Sequence, residues 1–173
     1  SELVHQFQQE GITTFYYMPL PVDANKITML LSKSYNQKRL SADVSFVGSL
    51  YNEEHNLYDN LKNLSDYTKG FLDGILKAQS QVYGYNFMQE CLTPSILRQL
   101  QEATHYKKNI DGVEPLSYII SDYFLSRKLT SNERIEYLTL ISKQFSLKLF
   151  TSDPNISVGL CQNMGPADYL SET

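Results

Sequence analysis

Two short β-strand patterns, at residues 43–48 and 147–151, are separated by nearly a hundred residues whose apolar positions recur at helical spacing. In a simple doubly wound sheet a single helix joins successive strands, so this long tract is either an insertion or a lid. The chain is therefore predicted to be α/β. We expect a partial parallel sheet of about three strands with a large helical insertion at about 53–145, which makes the chain predominantly helical.

Two further segments are interpreted as strands. Residues 12–18 are rich in β-branched and aromatic side chains, which favour strands. Pro19 and Pro21 end that segment because neither offers a backbone N–H. After the prolines, residues 26–40 fit either a short helix or a connector, and residues 156–160 are the shorter strand candidate.

Capping residues mark where helices of the insertion begin. Ser65 is predicted to be the N-cap of a helix that ends at Gly84. Thr93-Pro94 places an N-cap hydroxyl before a proline at the first helical position. Thr130-Ser131-Asn132-Glu133 fits a capping box and predicts that the last helix begins there.

Gly70 and Gly74 lie four residues apart on one face of the helix that follows Ser65. Each glycine costs about 1 kcal/mol relative to alanine in a helix interior. We therefore expect another helix or backbone segment to approach this face closely.

The loop from Gly48 to Glu53 is the first place to expect a functional site, because ligands of parallel α/β sheets bind just beyond the carboxyl ends of the strands. Residues 52–56 are polar and are interpreted as opening a helix directly after the loop. Glycine lets a ligand approach the backbone closely, so the loop is suited to an anion or a hydroxyl-rich ligand. Glu53 and Glu54 fit the first turn of that helix, where the dipole favours carboxylates, and a catalytic carboxylate pair is the alternative.

The usual signatures of catalysis and metal binding are missing from the sequence. His5, His55 and His105 are far apart and do not have the spacing of metal ligands. Ser49 does not lie in a G-x-S-x-G sequence, and neither a P-loop nor a G-x-G-x-x-G sequence occurs. The sequence therefore indicates no metal, no cofactor and no particular catalytic residue.

Charge and hydropathy argue against two classes of partner. The net charge is −4 and the pI is about 5.3, whereas surfaces that bind nucleic acid concentrate Lys and Arg. No apolar run approaches the ~20 residues that cross a bilayer, so no membrane span is expected. Cys91 and Cys161 are expected to be reduced thiols of a cytoplasmic protein. The thirteen tyrosines and eight phenylalanines fit core packing, with stacking on a base or a sugar as the alternative.

Three segments, at 16–23, 43–51 and 147–151, resemble the CgeB-like (spore maturation protein) glycosyltransferases. Residues 67–83 and 165–169 are also similar to that family, so the resemblance covers roughly residues 12–169. In this family a domain of unknown function precedes the glycosyltransferase domain. The chain resembles a central fragment of such a protein.

The resemblance implies two facing Rossmann-like domains with a nucleotide sugar bound between them. Residues 1–23 would end the N-terminal domain and form the crossing segment. Residues 24–173 would begin the donor-binding domain, with a partial Rossmann-like sheet and the helical insertion. Gly48 and Ser49 match the glycine loop of the family, and together with Tyr51 and Asn52 they are the candidate substrate-binding residues.

Two departures from the family bear on activity. Many related transferases have a basic residue soon after the glycine to hold the diphosphate, whereas residues 50–54 here are neutral or acidic. The chain also stops before the part of the donor domain that usually holds the nucleotide, so it is expected to be inactive alone. The alternative function is a non-catalytic helical module, residues 53–145, for protein interaction or dimerisation. A homodimer is left open.

Overall fold

The computed structural model describes residues 8, 11, 21–32, 41–52, 56–105, 114–153 and 155–166. The chain forms two compact units, Ser1–Leu40 and Ser41–Thr173. In the first unit, helix α1 spans Ala24–Ser32, where the sequence fits a helix or a connector, and Asp23 Oδ1 accepts a hydrogen bond from the Lys26 N–H at 3.0 Å. The predicted strand at 12–18 lies outside the described residues, and the assignment of residues 1–23 to a preceding domain stays a prediction.

The second unit contains a small sheet and a set of helices between its first two strands. This arrangement confirms the predicted α/β class, with a partial Rossmann-like sheet and a helical insertion. The strands are β1 (Val44–Val47), β2 (Leu147–Phe150) and β3 (Gln162–Asn163). The helices are α2 (Asp66–Gln79), α3 (Met88–Cys91), α4 (Pro94–Thr104), α5 (Leu116–Ile119), a π-helical turn (Ile120–Leu125) and α6 (Ser126–Ser142).

The three strands are parallel and lie in the order β1-β2-β3. Phe46 of β1 is in register with Leu149 of β2. Because the strands are parallel, their carboxyl ends meet at one edge of the sheet. The predicted strand at 156–160 is wrong: Gly159 has a φ of 51° and the Leu160 N–H donates to Ser142 Oγ at 2.9 Å, so the chain turns there and pairs with β2 only from residue 162.

Two separate clusters of buried side chains stabilise this unit. One lies within the helical insertion, and the other lies between the sheet and α6. Because the insertion has a core of its own, it is more than a loop laid over the sheet. The insertion cluster includes Leu72, Met88, Ile96, Leu100, Ile120 and Leu125, and the sheet cluster contains Leu50, Leu138, Leu147, Leu149 and Val158.

The predicted helix starts at Ser65 and Thr93 are confirmed by side-chain hydrogen bonds. Ser65 Oγ accepts from the Thr68 N–H at 3.2 Å, and Thr93 Oγ1 accepts from the Ile96 N–H at 3.4 Å. Helix α2 ends at Gln79, earlier than the predicted end at Gly84. The buried Gln79 side chain donates to the carbonyl oxygens of residues 82 and 85 and accepts from the N–H of residue 87, so it holds the turn that follows.

The predicted capping box at 130–133 is wrong. Helical backbone runs without a break from Leu116 through the π-helical turn to Ser142. Thr130 Oγ1 donates to the Ser126 carbonyl oxygen at 2.8 Å, the bond of a threonine inside a helix. The preceding turn already satisfies the backbone N–H groups that a cap would serve, so the local capping sequence is overridden.

The helix predicted to open at 52–56 is also absent from the described residues that follow it. Residues 57–60 form a turn, residues 61–64 are not helical, and Glu53 and Glu54 lie outside the described residues. The buried Asn56 organises this turn: its Oδ1 accepts from the Asp59 N–H at 3.2 Å and its Nδ2 donates to Asp59 Oδ2 at 2.8 Å. A side chain that bonds its own neighbourhood in this way favours a turn over a helix.

Gly70 and Gly74 do not serve close packing, contrary to expectation. Both are exposed on α2, and among the described residues a Cβ at either position would have nothing within 4 Å outside its own helix. The face that these glycines share is open.

Candidate functional site

The candidate site begins at the carboxyl end of β1, in the segment 48–52, which we call the glycine turn. Gly48 has a φ of 151° and its N–H donates to the Phe150 carbonyl oxygen at 3.0 Å. Ser49 Oγ accepts from the Tyr51 N–H at 3.0 Å, and Tyr51 has a φ of 53°, which is rare for a residue with a side chain. The turn is therefore a defined structure at the edge where ligands of parallel sheets bind.

Arg134 of α6 is attached to the glycine turn. Its Nη1 donates to the Ser49 carbonyl oxygen, and its guanidinium carbon lies 4.8 Å from the centre of the Tyr51 ring and 5.6 Å from that of Phe46. A guanidinium over aromatic rings at these distances is in cation–π contact. Arg134 thus joins β1, the glycine turn and α6 at one point.

The fold explains why Arg134 reaches the turn. Residues 143–146 are all that separates α6 from β2, so the helix runs back alongside the sheet and its N-terminal half lies towards the carboxyl edge. Leu138 packs in the sheet cluster. Arg134 lies four residues earlier on the same face of the helix, one turn nearer the edge. The helix that packs the sheet therefore also places a positive charge over its carboxyl ends.

Arg134 has hydrogen-bonding capacity beyond the bond to Ser49. The ion pairs seen within the described ranges are Lys69–Asp73 at 3.0 Å and Lys128–Asp59 at 2.6 Å, and neither involves Arg134. A guanidinium carries five N–H donors, of which one is directed to the Ser49 carbonyl. The remaining donors are of the type that binds carboxylate or phosphate in pairs.

The middle strand adds a second polar group at this edge. Thr151 directly follows β2, and its N–H donates to the Gly165 carbonyl oxygen at 3.0 Å. Its side chain is buried, and Oγ1 has no hydrogen-bond partner in the part of the chain that the structure describes. Among the described residues, the carboxyl edge therefore carries the anchored guanidinium of Arg134 and the unpaired hydroxyl of Thr151.

Of the predicted site residues, Gly48, Ser49 and Tyr51 come together in the glycine turn, and Asn52 is exposed at its end. The helix N-terminus expected to favour an anion is not seen at 56–64. Sequence reasoning missed Arg134, because the residue that it contacts lies 85 positions earlier in the chain. Arg134 lies one helical turn before Leu138, beside the apolar stripe that packs against the sheet. This position was the sequence signal that could have indicated it.

A second polar cluster lies in the insertion and is structural. Tyr58 OH donates to Asp73 Oδ1 at 2.5 Å. Burial, together with the hydrogen bond to Asp73, raises the pKa of Tyr58 far above its usual value, so the phenol keeps its proton even in alkaline solution. Burial alone would raise the pKa of Asp73, but the bond from Tyr58 and the charge of Lys69 outweigh it and lower that pKa. The cluster holds the turn at 57–60, which follows β1, against α2.

Metal ligands and membrane spans are not found among the described residues. No group of three or more His, Cys, Asp or Glu side chains is placed to hold a metal ion there. No helix in the described ranges has both the length and the apolar character needed to cross a bilayer.

Comparison with known proteins identifies no similar protein. No family model, curated protein or solved structure matches this chain. The resemblance to CgeB-like glycosyltransferases therefore stays a prediction, and function has to be inferred from the glycine turn and its arginine.

Proposed function

We propose that the glycine turn and Arg134 form part of a binding site for a nucleotide sugar. In this proposal the chain is a fragment of a glycosyltransferase of the CgeB-like kind, which moves a sugar from the nucleotide to an acceptor. The observation that carries it is the Arg134 guanidinium bonded to the turn at the carboxyl edge of the parallel sheet. A cytoplasmic location is part of the proposal, since Cys91 and Cys161 are both free thiols.

The chemistry of a nucleotide sugar suits these groups. Its diphosphate carries negative charge on oxygens that accept paired N–H bonds from a guanidinium. The sequence lacks a basic residue directly after Gly48, and Arg134 supplies that charge from another element. Contacts with Tyr51, Phe46 and the Ser49 carbonyl hold the guanidinium in place, so little conformational entropy is lost when an anion binds.

The same charge would assist the transfer step. When the bond between the sugar C1 and the diphosphate oxygen breaks, the nucleoside diphosphate leaves with the bonding electrons and negative charge grows on that oxygen. A guanidinium already aimed at this region stabilises the growing charge without further reorganisation. The role assigned to Arg134 is therefore binding and electrostatic stabilisation, and no residue is assigned as the base that activates the acceptor.

Thermal unfolding tests the proposal. The chain is heated with UDP, GDP, ADP and their glucose conjugates at low ionic strength. A ligand at about 100 times its Kd adds ~2.7 kcal/mol of stability. At ~2–4 °C per kcal/mol this is a rise in Tm of several degrees. A wild-type protein whose Tm is unmoved by every compound contradicts the proposal.

Helix α6 offers a matched control for the arginine. The guanidinium carbon of Arg127 lies 5.4 Å from the centre of the Tyr123 ring, so both arginines cover a tyrosine. Arg127 lies seven residues before Arg134, about 10 Å along the helix. Arg134→Gln should abolish the ligand-induced rise in Tm, and Arg127→Gln should preserve it. If both variants lose the rise in Tm equally, the ligands respond to the overall positive charge of α6 and not to Arg134 in particular.

The alternative function, a non-catalytic interaction or dimerisation module, also has an observation in its favour. The described part of the insertion and α6 expose large side chains, including Tyr67 and Tyr83 at 73% each and Leu140 at 49%. Tyr83 OH and Tyr137 OH lie 2.6 Å apart, which joins two of the exposed rings. Sedimentation equilibrium over a hundredfold range of concentration tests dimerisation, and a mass that stays at 19.9 kDa contradicts it.

A further inference from the structure

Thr151 occupies the centre of the carboxyl edge. It follows Phe150, which is in register with Val47, so Thr151 lies beside Gly48. The Gly48 N–H donates to the Phe150 carbonyl oxygen on one side, and the Thr151 N–H donates to the Gly165 carbonyl oxygen on the other, both at 3.0 Å. The peptide group that joins Phe150 to Thr151 is therefore hydrogen-bonded to a glycine on each side, and neither glycine has a side chain.

The hydroxyl of Thr151 is buried and makes no hydrogen bond with the described residues. The residue is 2% exposed, and Oγ1 is the buried side-chain polar atom that lacks a hydrogen-bond partner among the described residues. A buried unpaired hydroxyl destabilises the fold, whereas valine would fill the same shape at no such cost. A ligand that supplied the missing partner would account for a hydroxyl at this position.

Strand geometry puts the Thr151 side chain and Arg134 on the same face of the sheet. Side chains alternate along a strand, so Thr151 shares a face with Leu149. Leu149 packs in the sheet cluster with Leu138 of α6. Thr151 follows Leu149 by two residues, and Arg134 precedes Leu138 by one helical turn. Thr151 and Arg134 therefore both lie nearer the carboxyl edge than the two buried leucines.

Gly48 keeps this region free of another side chain. It lies on the same face as Phe46, and a Cβ added there would meet only the Phe46 ring, at 3.7 Å, among the described atoms. At the position beside Thr151, the chain that leaves β1 therefore has no side chain, because the residue there is Gly48. This leaves room for a ligand group to reach the hydroxyl.

We propose that Thr151 Oγ1 is a ligand contact of the nucleotide-sugar site and donates a hydrogen bond to a diphosphate oxygen that Arg134 also binds. The inference rests on the proposed function. An anionic acceptor is the partner that a buried neutral donor favours most, because such bonds are charge-assisted and strong. The bound diphosphate would thus satisfy the group that the free protein leaves unpaired.

The experiment compares Thr151→Val and Thr151→Ser with the wild type, using UDP and GDP as probes. Without ligand, Thr151→Val should melt at or above the wild-type temperature, because it removes an unpaired hydroxyl. With ligand, its Kd should rise about tenfold or more, whereas Thr151→Ser, which keeps the hydroxyl, should bind within a few-fold of the wild type.

Thr68 is the matched control. It is fully buried like Thr151, but its Oγ1 donates to Gln99 Oε1. Thr68→Val should therefore lower the melting temperature and leave Kd unchanged, the reverse of the pattern expected for Thr151→Val.

The outcomes separate the two proposals. If wild-type protein binds neither probe, the proposed function fails and this inference fails with it. If wild-type protein binds and Thr151→Val binds equally well, this inference alone is overturned, and the hydroxyl serves at most a buried water. A fall of several degrees in the melting temperature of Thr151→Val also overturns it, since the hydroxyl then has a partner in the free protein.

Discussion

Arg134 donates a hydrogen bond from Nη1 to the backbone carbonyl oxygen of Ser49, across 85 positions of the chain. The bond ties the helix that covers the sheet to the turn that ends β1. It places a cation at an edge where the residues next to Gly48 offer none. Stability and ligand binding at this edge should therefore depend on a residue far from it in sequence.

Replacing Arg134 should weaken the fold more than replacing Arg127. Arg134→Gln removes a hydrogen bond from a charged group and two cation–π contacts, so we expect a loss of about 1–3 kcal/mol. Arg127 makes one cation–π contact, with Tyr123, and Arg127→Gln should lose about 0.5–1 kcal/mol. Urea unfolding followed by circular dichroism measures both, and equal losses would show that the Ser49 bond contributes nothing.

Ser49→Ala should reduce stability modestly even without a ligand. The hydroxyl accepts from the Tyr51 N–H at 3.0 Å and supports a residue with positive φ. Losing that bond should lower the free energy of unfolding by about 0.5–1.5 kcal/mol. Ser45→Ala, at an exposed position of β1, is the control and should change it by less than about 0.5 kcal/mol. An unchanged Ser49→Ala variant would mean that water replaces the bond.

Alanine at Gly70 or Gly74 should stabilise the protein. Both positions are helical and open, so each substitution should add about 1 kcal/mol, a rise of ~2–4 °C in Tm. Gly159→Ala is the contrasting control: its Cβ would lie 2.9 Å from Thr139 Cα, at a φ of 51°, and the variant should be less stable. Differential scanning calorimetry measures all three, and a lower Tm for the α2 variants would contradict the expected gain in helix stability.

The hydrogen bond from Tyr58 to Asp73 should make stability depend on pH in the acid range. The pKa of Asp73 is lowered in the folded protein, so the stabilisation is complete above its unfolded value of about 3.9 and is lost as the pH falls through the folded value. At neutral pH, Tyr58→Phe should cost about 1 kcal/mol, because the carboxylate is half exposed and screened by solvent.

The test follows the free energy of unfolding of wild type and Tyr58→Phe at pH 7, 5 and 3. The difference between the two proteins should be constant from pH 7 to 5 and shrink at pH 3. Tyr67→Phe, at a tyrosine that is 73% exposed, should show no such pH dependence. A difference that grows on acidification would rule out the ionised Asp73 as the acceptor.

Features that depend on neighbours in the chain could be predicted. The Ser65 and Thr93 hydroxyls bond N–H groups three residues later, so a short sequence window contains the whole interaction. The strand at 44–47 follows from a run of apolar, partly β-branched residues, and the strand at 147–150 follows from the alternation of residues 147–151. The long gap between the two strands correctly predicted an inserted helical block. The glycine turn follows from Gly48, whose φ suits glycine.

Features that depend on residues far apart in the chain could not be predicted from the sequence. The capping box at 130–133 is a sound local signal, but the helix that arrives from Leu116 satisfies the same backbone groups, and packing of its apolar side chains keeps it continuous. Residues 156–160 have strand composition, yet Ser142 Oγ takes the Leu160 N–H and the pairing with β2 begins later. In each case a contact across the fold outweighed a local preference.

The order of residues thus determines the α/β class, the place of the helical insertion and the turn at the end of β1, because these follow from local hydrogen bonding and hydrophobic spacing. Tertiary structure decides which side chains from other elements lie next to that turn. Arg134 reaches Ser49 because Leu138 packs α6 against the sheet. The Thr151 N–H donates to Gly165, just after β3, while its buried hydroxyl has no hydrogen-bond partner among the described residues. Both arrangements join residues far apart in the chain, which only the folded protein brings together.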